Sequence, residues 1–137
     1  MKPVIVKKEI NGFLLNRLQY TLVAEALHLV GEGYCTPEDI DRVLTDGLAL
    51  RWSFLGPFMV AHLNSNGGFK GFVQQLGTMM RDMGREAVTD YDWDDTLVDS
   101  IHAALAQKIP VSDIPEKQIW RDNKILKART LNADDEV

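Results

Sequence analysis

At 137 residues, with 45% hydrophobic and 26% charged side chains, the chain has the size and balance of one soluble globular domain. Its formal charge of −5 argues against a nucleic-acid surface or a polybasic membrane patch, which need clustered lysine and arginine, so neither partner is expected. The lone Cys35 leaves no internal disulfide, and no apolar run approaches the roughly 20 residues needed to span a bilayer, so the expected location is cytoplasmic.

Residues 1–10 read as a linker: Pro3, then Val4-Ile5-Val6, then charges, an extended segment leading into a helix. Residues 11–130 read as one helical domain. From Gly12 to about Glu32 the pattern is helical, with Arg17, Thr21, Glu25, His28 and Glu32 in one narrow polar stripe. Such a stripe predicts a helix covered by protein on its other sides. Gly33 is a natural stop.

Thr36-Pro37-Glu38-Asp39 carries a hydroxyl N-cap, proline at the first helical position and acids in the first turn, which predicts a second helix ending near Gly47. Leu48 to Leu55 is apolar without clear periodicity. Gly56-Pro57 opens a short third helix to about Asn64. A fourth runs from about Phe69 to Met83, with Phe72, Val73, Leu76, Met79 and Met80 facing inward. A fifth spans Asp94 to Lys108 and is ended by Ile109-Pro110, and a sixth begins around Pro115. Residues 131–137 form an acidic tail expected to be disordered. The fold class is all-α, with about six helices.

Asn16 shares its helical face with Phe13, Tyr20, Val23, Leu27 and Val30, so an amide sits in a stripe expected to be buried. A buried amide must find partners. Those are either a neighbouring loop or helix, or a ligand. Arg51 lies between Leu50 and Trp52, where a guanidinium without an anion would be costly to bury. Its partner is either internal (Asp46, Glu38, or stacking on Trp52) or a substrate carboxylate held by two parallel hydrogen bonds.

Other candidates fail on spacing. Gly31-Glu32-Gly33 closes a helix instead of joining a strand to a helix start, so it does not cradle a dinucleotide. Asp90, Asp92 and Asp94 imitate the first three ligands of a calcium loop, but Asp95 replaces its glycine and Ile101 its bidentate glutamate. His28, on the polar stripe, is expected to be solvated or hydrogen-bonded at the surface, and His62, after the Gly56-Pro57 helix start, is expected in a structural role, with approach to a site as the alternative. His102 has no assigned role, and no histidine has metal-binding spacing, so neither metal nor cofactor is expected in this chain.

The stretch Gly12-Phe13-Leu14-Leu15-Asn16-Arg17, with Glu25-Ala26, Thr36-Pro37-Glu38-Asp39-Ile40-Asp41 and Gly56-Pro57-Phe58, resembles the C-terminal domain of the 3-hydroxyacyl-CoA dehydrogenase family. Gly47 to Pro57 and Gln118-Ile119-Trp120-Arg121-Asp122 resemble its lambda-crystallin, or L-gulonate 3-dehydrogenase, branch. The resemblance is specific in the first half of the chain and weak between Gly67 and Pro115.

It implies the 6-phosphogluconate dehydrogenase C-terminal-like helical fold, homodimerisation through this domain, and an NAD-binding Rossmann half upstream of Met1. That half would also carry the catalytic histidine and its glutamate, leaving the isolated chain inactive. Asn16 matches the family's active-site asparagine, beside the substrate's reacting oxygen. Arg51 favours a small hydroxy acid over an acyl-CoA thioester, though both substrates stay open. The chain is then either a truncated enzyme or a separately encoded domain. The alternative is a stand-alone helical dimerisation or binding module without chemistry.

Overall fold

Local signals set the helix ends. In the computed structural model, which describes residues 3–131, all regular structure is helical. Helix α1 spans Phe13–Gly31, and both its N-cap Gly12 (φ 77°) and its first residue Phe13 (φ 50°) have positive φ. Positive φ is free for glycine but strained for phenylalanine. Its far end is a Schellman motif: the Tyr34 N–H donates to the Leu29 carbonyl (2.9 Å) and the Gly33 N–H to Val30 (3.0 Å). Gly33 takes the left-handed conformation that this stop requires.

Helix α2 (Pro37–Val43) starts with a complete capping box. The Asp39 N–H donates to Thr36 Oγ1 (3.2 Å), and Asp39 Oδ2 accepts from the Thr36 N–H (3.1 Å) and hydroxyl (2.6 Å). Contrary to the sequence expectation, Gly47 ends nothing. A π-helical turn, Leu44–Leu48, carries the chain directly into α3 (Ala49–Trp52). The wider turn absorbs the glycine while the ladder continues, with the Ala49 N–H donating to Leu44 five residues back. Of residues 48–55, Leu48 closes the π turn, Ala49–Trp52 form the short α3 and 53–55 are a turn, so no single period runs through them.

Helix α4 (Pro57–Leu63) starts at Gly56-Pro57, and α5 (Gly68–Glu86) folds back on it. His62 Nδ1 accepts the Phe69 N–H at 3.0 Å and so caps α5 from the neighbouring helix. That confirms a structural role for His62. Phe58 meets Phe69 edge to face at 5.8 Å. Asp94 caps α6 (Asp95–Lys108) by accepting the Leu97 N–H at 2.8 Å. Lys108, at the end of α6, pairs with Glu38 at 2.8 Å and joins α6 to α2. A 3-10 turn (Val111–Asp113) leads into α7 (Ile114–Leu131), so Leu131 is helical; the rest of the expected tail, like Met1 and Lys2, lies outside the described residues.

The helices form an open array. No hydrophobic side chain among the described residues is fully buried. The accessible surface is 11745 Å², against about 7,200 Å² for a compact chain of 15.4 kDa. Part of the surplus belongs to the non-helical residues before α1. Helices with exposed apolar faces contribute to it as well. Phe72 and Val73 are half-buried as expected, but Leu76, Met79 and Met80 are exposed, because α5 packs mainly on α4.

Candidate functional site

The N-terminal half of α1 is uncovered, with Phe13 64%, Leu15 79% and Leu18 69% exposed. Asn16 stands among them, exposed. The expectation of a buried amide is therefore corrected: no described residue buries Asn16 or the apolar side chains beside it. The amide makes no side-chain hydrogen bond within the described residues, so the internal partner considered for it is not realised there.

Arg51 lies in the last turn of α3 and is exposed. Neither internal anion reaches it. Glu38 is taken by Arg42 (3.1 Å) and Lys108 (2.8 Å), and Asp46 accepts from the Thr45 hydroxyl at 3.3 Å. No described acidic side chain pairs with Arg51, and no cation–π contact places it on Trp52. Asn16 and Arg51 sit on separate helices, with no interaction joining them.

The stripe that carries Asn16 continues along α1 through Gln19, Val23 and Leu27 into a cleft of about 270 Å³ bounded by α1, α2 and α6. The cleft is aliphatic, with Gln19 at one end and the exposed Asp41 at its rim. It contains no cation and is a poor receptor for a carboxylate.

The polar stripe of α1 behaves differently from expectation. Glu25 Oε2 accepts the Val88 N–H at 2.7 Å and stands 3.5 Å from His28 Nδ1. The Tyr91 hydroxyl donates to Glu32 Oε1 at 3.3 Å, and the His28 ring packs against Tyr91 (5.4 Å) and Tyr34 (6.2 Å). His28 is only 16% exposed and its Nδ1 is buried without a hydrogen bond among the described residues, so the histidine expected to be solvated or hydrogen-bonded at the surface is corrected to a packed one. Burial and the neighbouring Glu32 carboxylate push the Tyr91 phenol above its ordinary value. This knot fastens the segment between α5 and α6 to α1. Sequence reading missed it, and its one local hint was Gly31, where a Cβ would run into the Tyr91 hydroxyl.

Neither a group of three metal-ligating side chains nor a helix long and apolar enough to cross a membrane occurs among the described residues. Residues 12–111 match the family described as "3-hydroxyacyl-CoA dehydrogenase, C-terminal domain". The chain is 34% identical over 131 residues to a lambda-crystallin homolog of Bos taurus, an alignment covering 94% of this chain and 40% of that protein. It is 35% identical over 122 residues to the lambda-crystallin of Oryctolagus cuniculus, covering 88% and 38%. With an L-carnitine dehydrogenase of Oceanobacillus iheyensis the identity is 44% over 82 residues, covering 59% and 27%. The chain thus spans about two-fifths of the length of the lambda-crystallin relatives.

Proposed function

The chain belongs to the 3-hydroxyacyl-CoA dehydrogenase C-terminal domain family, and from that premise we propose that it is the substrate-facing and dimerising part of an NAD-dependent 3-hydroxy acid dehydrogenase. The observation that carries this reading is the bare N-terminal half of α1, with the unbonded amide of Asn16 on it. Leucines and a phenylalanine left in water at that density need a protein surface over them. A cofactor half seated there would bring its reacting centre to Asn16.

The residues present do not suit NAD. Gly31 and Gly33 close α1, so carbonyl groups and the negative end of the helix dipole point at that turn. On this reading NAD binds outside this chain, and the isolated chain is inactive. Its own contributions are two. The Asn16 amide donates a hydrogen bond to the substrate's 3-oxygen, where charge shifts as a hydroxyl becomes a ketone. The Arg51 guanidinium, lacking an internal anion, grips a carboxylate with its planar fork.

Carnitine is itself a small 3-hydroxy acid with a free carboxylate. The relatives named for it therefore support a hydroxy acid over an acyl-CoA thioester. Two copies pair through the exposed apolar faces, and the protein works in the cytoplasm.

The test joins this chain to an NAD-binding half and assays L-carnitine, L-gulonate and a 3-hydroxyacyl-CoA. NAD reduction with a small hydroxy acid is the expected result. Turnover of the thioester alone removes the role of Arg51. No turnover with any of the three favours a binding module without chemistry.

A further inference from the structure

Helix α7 (Ile114–Leu131) extends beyond the stretch that matches the family, and its main contact within the chain is with the 3-10 turn just before it. A helix in a protein draws most of its stability from packing an apolar face against other elements. Yet α7 exposes Ile119 (66%), Trp120 (57%), Ile125 and Leu126. It is also the basic part of a chain that is acidic elsewhere: five cations and two carboxylates give it net +3, whereas residues 1–113 carry net −5. The cleft between α1, α2 and α6 is aliphatic, with an unpaired carboxylate, Asp41, at its rim. At about 270 Å³ it lies at or below the low end of the roughly 300–1,000 Å³ of small-molecule sites, a size for a side chain rather than a cofactor.

We infer that α7 is an exchanged arm: the α7 of one copy lies across the α1–α2–α6 cleft of a second copy, Trp120 entering it and Arg121 and Lys124 facing Asp41. This rests on the dimer proposed above and specifies its contact. A second copy is the occupant because it presents both complementary features, an aliphatic slot and a carboxylate at its mouth, Asp41; Arg121 would then be shared between Asp41 and its neighbour Asp122, with which it pairs at 2.8 Å. Trp and Arg are the residues that most often anchor such contacts.

The test is a reciprocal charge swap in the full chain, read by sedimentation equilibrium. One variant reverses the arm (Lys117→Glu, Arg121→Glu and Lys124→Glu), and the other reverses the rim (Asp41→Arg). Each variant alone is expected to dimerise at least tenfold more weakly than the parent, with helical circular dichroism unchanged. Their equimolar mixture is expected to recover parental affinity, because both arm–rim contacts of the mixed dimer are then matched. Parental dimers together with an arm-reversed variant of parental affinity overturn the arm and leave the dimer standing. Weakened variants that do not recover on mixing also overturn it. A parental chain that stays near 15 kDa at every concentration overturns the dimer itself.

Discussion

Replacing Gly31 with alanine should have opposite effects depending on what stands at position 91. Gly31 is the last residue of α1, and a Cβ there would run into the Tyr91 hydroxyl and lie 2.8 Å from two of its ring carbons. All three contacts are too short, and two are to a rigid ring, so Tyr91 must swing away. It then gives up its hydrogen bond to Glu32 and its packing on His28. Overpacking of this kind costs about 1–3 kcal/mol, while exchanging glycine for alanine in a helix returns about 0.5–1 kcal/mol. The net is a loss of up to about 2.5 kcal/mol by the same bookkeeping. In a Tyr91→Ala background only the helix term remains, and Gly31→Ala should stabilise by up to about 1 kcal/mol. Urea unfolding followed by circular dichroism, at one fixed protein concentration, measures both differences. If Gly31→Ala stabilises the parental chain as much as it stabilises the Tyr91→Ala variant, Tyr91 does not occupy the space above α1 and the knot as described is wrong.

The Asp39 carboxyl is lowered by its hydrogen bonds from Thr36, and Glu38 by its bond to Lys108. Their stabilisation is present above the ordinary carboxylate range and lost as pH falls through the lowered folded values. Acid should therefore loosen the start of α2 and its tie to α6, and Thr36→Ala, costing about 1 kcal/mol at neutral pH, should cost less at about pH 2–3 in urea melts. Tyr91 has the opposite sign, since a raised phenol contributes fully below the ordinary 10.0 and is lost as pH climbs above it. Tyr91→Phe should flatten the alkaline limb of stability against pH. Asn16 and Arg51 are exposed and unpaired within the described chain, so Asn16→Ala and Arg51→Lys should leave its stability within about 0.5 kcal/mol. Joined to a cofactor half, Asn16→Ala should lower kcat by roughly 10²–10³, as when an oxyanion donor is lost, and Arg51→Lys should mainly raise KM. A drop in melting temperature with unchanged kinetics would make either residue structural.

Most helix boundaries were legible because caps are written within a few consecutive residues. Thr36-Pro37 and Asp39, Gly56-Pro57, Asp94 and Gly33 each act on backbone groups close by in sequence, and each start or stop falls where those residues predict. Gly47 misled because a glycine in a helical stretch either ends the helix or is absorbed by a wider turn, and neighbouring packing decides between them. The motif around Asn16 was equally legible as a pattern, and so was Arg51 as a cation in apolar company. Their exposure was not legible. Helical periodicity reports which residues share a face, not what stands opposite that face. For Glu25 and Glu32 the opposite groups are Val88 and Tyr91, 63 and 59 residues away, which turn an apparently solvated stripe into a fastening. For Asn16 no described residue stands opposite. Tertiary structure alone decided both outcomes, because burial depends on contacts between segments distant in sequence, whereas capping and periodicity are properties of a few consecutive residues.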